Sequence, residues 1–242
     1  MTKNGIDVSR WQGNINWNLV KNSKVDFAII KTGGADGGLY VDSSFEQNYA
    51  KAKAAGVPVG AYWYSNAKTG DEARKEARFF IEKLRGKQFE YPVYLDVEES
   101  SMLNLGRDKL SDVIISFLNE MEQAGYYAGL YMSASPLTTH TTQFVKDRFA
   151  IWVAHYGVSK PSYSGKYGMW QKSSTGRVDG ISGNVDIDEC YVDYPESIKK
   201  AGKNGFSAYV EPKPEPTPAL KTIQAELTVD GVKYSGTLTE IK

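Results

Sequence analysis

The chain is predicted to fold as an α/β barrel of the TIM type, and three observations carry that expectation. Eight short apolar segments read as strands, the first five of them alternating with helical segments, and polar residues gather at the carboxyl ends of those strands. A length of 242 residues, 41% of them hydrophobic, suits one such barrel as a single domain. The expected organisation is a barrel over residues 1–208, a proline-rich linker over 209–219 and a small β-hairpin over 220–242.

Taken in order, Gly5 to Ser9 (GIDVS) reads as a first strand ending near Asp7, followed by a turn at Gly13 and a helix from about Trp17 to Asn22. Phe27 to Thr32 (FAIIKT) is a second strand carrying Lys31 at its end. The KTGGADGG stretch after it lacks the Gly-Lys-Ser/Thr ending of a phosphate loop and reads as a flexible loop. Ser43 and Glu46 have capping-box spacing, and Phe45, Tyr49, Ala52 and Ala55 then recur at helical intervals up to a stop at Gly56. Val57 to Ser65 (VPVGAYWYS) is the third strand. A helix from Asp71 to Leu84 follows, with Ala73, Ala77, Phe80, Ile81 and Leu84 on its inward face.

The fourth strand, within Pro92 to Ser100 (PVYLDVEES), is apolar without alternation, as a strand buried on both faces should be, and it ends in Asp96 and Glu98. Side chains two apart on a strand share a face, so both carboxylates are expected in one space while Glu99 points away. A helix from Asp108 to Gln123 leads to the fifth strand at Tyr126 to Ser133. Ala150 to Tyr156, Tyr167 to Ser173 and Val185 to Tyr191 are the last three, joined without long helices. Chemistry in such barrels sits at the carboxyl ends of strands, which here carry Asp7, Lys31, Tyr62, Asp96, Glu98, Tyr131, His155 and Gln171.

The alternating prolines of Glu211 to Pro218 favour an extended spacer. Leu220 to Lys242 then reads as two alternating strands around Asp230-Gly231. A lone hairpin is marginal in water, so this one is expected to pair with the barrel, with copies of itself, or with further sequence.

Composition excludes several function classes. The 29 basic and 29 acidic residues cancel, which argues against nucleic acid and anionic membrane surfaces as partners. No segment reaches the roughly 18 apolar residues of a membrane helix, and Met1 to Ile6 lacks a secretory apolar region, so the expectation is synthesis in the cytoplasm without a signal peptide. The single cysteine, Cys190, reads as a buried small residue, and neither a metal site nor a cofactor is expected. His155 reads as a structural histidine, and His140 has no partner in view.

Two acids on one face at the active end of a barrel suit glycoside hydrolysis, in which a protonated carboxyl serves the leaving oxygen while a second carboxylate supports the oxocarbenium-like centre. Mutual repulsion and desolvation by Tyr and Trp walls would keep one of them protonated near neutral pH.

At this point the sequence resembles the glycoside hydrolase family 25 lysozymes, the Chalaropsis-type muramidases, along most of Gly5 to Tyr194. GIDVSRWQG looks like the family's opening motif and PVYLDVE like its catalytic strand, with FAIIKT, GAYWYS, GLYMS, IWVAHY, MWQ and VDID as its other strands. The resemblance implies a flattened barrel of eight strands and five helices. It also implies hydrolysis of the β-1,4 bond between N-acetylmuramic acid and N-acetylglucosamine in bacterial peptidoglycan, with retention.

Carried over residue by residue, Glu98 matches the general acid, and Asp96, Asp7 and Asp186 match the other acids of the site. Asp188 shares the face of Asp186 but not its place in the family pattern. Tyr62, Tyr131, Trp152, Gln171 and Lys31 are candidate substrate contacts. The chain departs from many relatives in its GGADGG stretch and in having Trp63 where they have histidine, both positions tied to sugar contacts. Lack of a signal, with the linker and tail, points to a phage endolysin that reaches the wall after release. The hairpin is expected to serve wall targeting or self-association. Two other readings are a non-catalytic wall-binding module on the same barrel and a chitinase-like glycosidase. The first is opposed by the retained acids, the second by the absence of the longer acidic series in PVYLDVE.

Overall fold

A computed structural model describes residues 2–208 and 222–239, which divide into two compact units, one ending at Tyr209 and one beginning at Val210. The 209–219 linker predicted above lies outside the described residues.

The first unit is built from β1 (Lys3–Val8), α1 (Trp17–Asn22), β2 (Phe27–Gly34), β3 (Tyr40–Val41), α2 (Phe45–Ala54), β4 (Val59–Tyr64), α3 (Gly70–Leu84), β5 (Val93–Asp96), α4 (Ser100–Leu103), α5 (Arg107–Gln123), β6 (Ala128–Ser133), α6 (Ala134–Thr139), α7 (Gln143–Arg148), β7 (Ala150–Ala154), β8 (Met169–Gly176), β9 (Val185–Cys190) and α8 (Tyr194–Lys200). The strands pair in the order β1-β9-β8-β7-β6-β5-β4-β2, and a β1–β2 pairing closes the barrel, with β3 appended outside β2. All eight predicted strands are present. Seven run parallel, whereas β9 is antiparallel to both β8 and β1. Eight helices surround them instead of about five, because α4, α6, α7 and α8 are helices of seven residues or fewer, too short to show a periodic apolar face.

Strand alternation sorts the core into two layers. Phe27 and Ile29 of β2, Tyr94 of β5, Tyr131 of β6 and Trp152 of β7 form one buried cluster inside the barrel. Their sequence neighbours Ala28, Ile30, Val93, Leu95, Leu130 and Val153 pack with the helices outside. The outer layer is dominated by the amphipathic faces of α3 and α5, which bury Ala73, Ala77, Phe80 and Leu84 from one and Leu110, Ile114, Phe117, Leu118 and Met121 from the other. Cys190 is fully buried in the inner cluster, as its reading as a small core residue requires.

Three local expectations are corrected. The glycine-rich stretch after Lys31 is partly ordered pairing: β2 continues through Gly34, and the chain folds back so that Gly33 pairs with Val41. A Cβ on Gly33 would stand 2.1 Å from the Tyr40 carbonyl oxygen, so glycine is there for close backbone approach. The Ser43–Glu46 capping box does not form. Ser44 is the N-cap of α2 and makes no side-chain cap bond, and the Asp42 carboxylate accepts from the backbone N–H of Ser44 (2.9 Å) and of Arg10 (3.2 Å). Finally, Trp63 lies in the outer layer, its indole N–H donating to Glu76 at 2.9 Å, so it is remote from sugar contacts.

The second unit is an antiparallel hairpin of β10 (Thr222–Val229) and β11 (Val232–Thr239). Its turn is Asp230-Gly231, both at positive φ (49° and 80°), as the Asp-Gly signal predicts.

Candidate active site

At the rim where the seven parallel strands end, a pocket of about 220 Å³ is lined by Asp7, Tyr62, Asp96, Glu98, Tyr131, Trp152, Tyr156, Gln171 and Asp186. Each side chain arrives there for a local reason. Asp96 is the last residue of β5 and follows Tyr94 on the inward face. Glu98 lies beyond the strand, so its place is set by the segment leading into α4 and not by strand pleat. The Val97 N–H donates to the Tyr131 carbonyl at 3.1 Å, which carries β5's alignment one residue past its end, and Glu98 follows to line the same pocket as Asp96. Glu99 turns away and accepts from the Tyr64 hydroxyl at 2.8 Å.

Asp7 and Asp186 face each other directly across the β1–β9 pairing. Asp186 stands at the start of its strand, and only the reversed direction of β9 brings that end to the same rim as the other strands' carboxyl ends. Gln171, on β8, ties the floor together: its Nε2 donates to Asp7 Oδ2 (2.6 Å), and its Oε1 accepts from the hydroxyls of Tyr131 (2.7 Å) and Tyr156 (2.6 Å). Trp152 forms part of the wall, pinned by its indole N–H donating to Asp188 Oδ1 at 2.8 Å and by edge contact with the Tyr131 ring.

Burial dominates the electrostatics. Desolvation, with the neighbouring Asp188 and Asp186, raises Asp7 well above the ordinary carboxylate range. Asp96 is likewise raised by burial and then by Glu98, against the lowering effect of Lys31. Glu98 is exposed at the rim, yet the pocket walls desolvate it enough to lift its carboxyl, with Lys31 opposing and Glu99 and Asp186 reinforcing the rise. Burial pushes Asp186 up to about 6. The site therefore holds protonated carboxyls at a pH where isolated ones would be ionised. Of the residues that line the pocket, Asp96 has a buried oxygen, Oδ1, without a hydrogen-bond partner among the described residues, and Asp188 Oδ2, buried outside the lining, has none either.

Eight of the nine candidate residues line this one pocket. Lys31 does not. Its ammonium lies 4.6 Å from the centre of the Tyr64 ring and 5.8 Å from that of Tyr62, and it acts on the acids through its field. Two residues escaped the candidate set. Tyr156 lies past β7, which ends at Ala154 and not at Tyr156 as expected, and alternation along the longer strand would have put it on the face of Trp152. Asp188, fully buried beneath the pocket, was on the face of Asp186 by simple alternation, and that was the available signal. His155 lies outside the pocket and accepts on Nδ1 from the Ser162 N–H at 3.0 Å, a structural role.

Residues 6–181 match the family described as "Glycosyl hydrolases family 25". The chain belongs to that family. As a family 25 member it is a glycoside hydrolase, and the pocket lies where its acids converge. It is similar to the autolytic lysozyme of Clostridium acetobutylicum, 30% identical over 246 aligned positions that cover 98% of this chain and 71% of the relative. Among solved structures it is similar to the CTP1L endolysin, with a TM-score of 0.73 and 31% identity over 81% of this chain and 69% of that one. It is also similar to the bacterial lysozyme of Streptomyces coelicolor, with a TM-score of 0.71 and 31% identity over 82% of this chain and 96% of that one.

Proposed function

We propose that this family 25 hydrolase lyses bacterial cell walls by cleaving the β-1,4 bond between N-acetylmuramic acid and N-acetylglucosamine of peptidoglycan, with retention, and that it is a phage endolysin reaching the wall after release. The observation that carries the chemistry is the pairing in one pocket of an exposed carboxyl lifted by desolvation, Glu98, with a buried carboxyl that has an unpartnered oxygen, Asp96. Glu98 gives its proton to the glycosidic oxygen as the C–O bond breaks. Asp96 Oδ1 accepts from the N–H of the sugar's own acetamido group and orients it. The acetamido carbonyl oxygen then bonds to the anomeric carbon and forms an oxazolinium intermediate. Water, giving a proton to the now anionic Glu98, opens that ring from the first face, and two inversions leave the configuration retained. Asp186, ionised above about pH 6, stabilises the positive charge that develops at the ring, and Asp7, held by Gln171, faces it across the strand pairing.

Support for the wall substrate comes from the lysozymes and endolysin to which the chain is similar, together with a wall of Tyr62, Tyr131, Trp152 and Tyr156 on which sugar rings can lie. Glu98→Gln is expected to lower the rate of wall hydrolysis by about 10²–10⁴-fold with thermal unfolding unchanged, the range typical of losing a general acid. Mass spectrometry of fragments from purified peptidoglycan reads the bond class directly, and N-acetylglucosamine at the new reducing end would refute it. Activity undiminished on de-N-acetylated glycan would refute assistance by the acetamido group.

A further inference from the structure

The hairpin of β10 and β11 divides its residues sharply between two faces. Cross-strand partners share a face, so the pairs Ile223–Leu238, Ala225–Gly236, Leu227–Tyr234 and Val229–Val232 form one side. Gln224, Glu226, Thr228, Lys233, Ser235 and Thr237 form the other, where Gln224 Nε2 donates to Thr237 Oγ1 at 2.7 Å. The large apolar side chains are unburied, ranging from 47% exposed at Val229 to 64% at Leu227. Two strands cannot bury an apolar face by themselves and are marginal in water, so this element needs something to lie on.

Gly236 indicates what that is. Glycine inside a strand weakens it, and elsewhere in this protein a strand glycine answers to crowding, as Gly33 does. Among the described residues nothing stands within 4 Å of a Cβ built on Gly236, and its φ is not positive. Within the described residues the glycine has no steric reason. Together with Ala225 opposite, it leaves a notch in the apolar face between the bulky Leu227–Tyr234 and Ile223–Leu238 rows. A ridge beside a notch on one surface is self-complementary under a two-fold axis, since each copy can place its ridge in the other's notch.

We propose that the hairpin's apolar face is a self-association surface, on which the hairpin of a second copy packs face to face and joins two chains into a dimer. The area suffices: six apolar side chains exposing on the order of 100 Å² each give roughly 1,200 Å² over two copies, the lower bound of stable interfaces. The chemistry favours a protein partner over glycan. Five of the six are aliphatic, and the Tyr234 hydroxyl is the single polar side-chain group on the face, whereas sugar sites place several hydrogen-bonding groups beside their aromatic rings. This inference is independent of the catalytic reading.

Sedimentation velocity of the full chain tests it. The unaltered protein is expected at about twice the 26.8 kDa chain mass, with Leu227→Ser and Gly236→Val each falling to the chain mass. Gly236→Val discriminates best, because valine favours strands and its Cβ meets no neighbour within 4 Å among the described residues, so lost assembly reports a filled notch and not an unfolded hairpin. Hydrolysis of soluble wall fragments per chain should be unchanged in both variants, neither residue being part of the pocket. A monomeric mass for the unaltered chain, or an assembled mass kept by either variant, overturns the proposal. So does a loss of binding to isolated cell walls in these variants without any change of mass.

Discussion

At the scale of single residues, the site depends on which carboxyls stay protonated, and Lys31 restrains two of them, Asp96 and Glu98, from a distance. Its ammonium touches tyrosine rings and makes no ion pair among the described residues, yet it lowers both Asp96 and Glu98 against the stronger effect of burial. Removing that charge therefore raises both carboxyls further. Because the proposed acid must be protonated to act, the alkaline limb of the rate profile belongs to Glu98. In Lys31→Met that limb is expected to move to higher pH, as measured by kcat/KM against pH on soluble wall fragments. An unmoved limb with a raised KM would instead make Lys31 a plain substrate contact. Glu98 itself was legible as an acid in a D-x-E pair after an apolar run. Its exposure at the rim was not, since strand alternation accounts for Asp96 but stops at the residue where β5 ends.

At the scale of elements, two short features decide where side chains arrive. Reversal of β9 presents its first residues at the rim, and Asp186 meets Asp7 there. Apolar pattern shows that a strand exists but is the same read in either direction, so the sequence could place Asp186 only through its likeness to family members. The β2–β3 turn-back is the other feature. It requires Gly33, where a methyl group would lie 2.1 Å from the Tyr40 carbonyl oxygen and 2.9 Å from the Trp63 ring. Gly33→Ala is expected to destabilise the barrel by roughly 1–3 kcal/mol in denaturant unfolding, the usual range for overpacking a site that cannot yield. A change below roughly 0.5 kcal/mol would mean that β3 is free to move away. Composition alone suggested a flexible loop here, because glycine is read equally well as freedom and as close approach.

At the scale of the whole molecule, several acids are gathered at one site and all are shifted upward, the buried Asp7, Asp96 and Asp188, the partly buried Asp186 and the exposed Glu98. A raised folded-state value means that the native protein binds protons the unfolded chain releases. Stability from these groups is present below the ordinary carboxylate range and is lost as pH rises through the folded values, which for Asp186 means from 3.8 to about 6. The lowered Glu189, paired with Lys172, opposes this as one partly exposed group. The melting temperature is accordingly expected to be higher near pH 5 than near pH 8, and Asp188→Asn, which can still accept from Trp152 Nε1, should flatten the decline. A melting temperature that climbs steadily over that interval would contradict the burial of charge described for the pocket. Destabilising acids held in one place are the stability cost expected of a catalytic site.

By itself, the sequence determined the number and order of the barrel strands, the inward faces of α3 and α5, the hairpin at Asp230-Gly231 and the assembly of acids at strand ends. These follow from local chemistry: periods of 2.0 and 3.6 residues, turn residues, and carboxylates after apolar runs. Tertiary structure alone decided that β9 runs backwards, that Gln171 bridges Asp7 to Tyr131 and Tyr156, that Asp188 sits beneath Trp152, and that Trp63 faces the helices. Each of these joins residues far apart in the chain. A pattern read along one strand carries the face a side chain takes, but its partners and its degree of desolvation are set by neighbouring strands, which is where the pKa of every acid in this site is made.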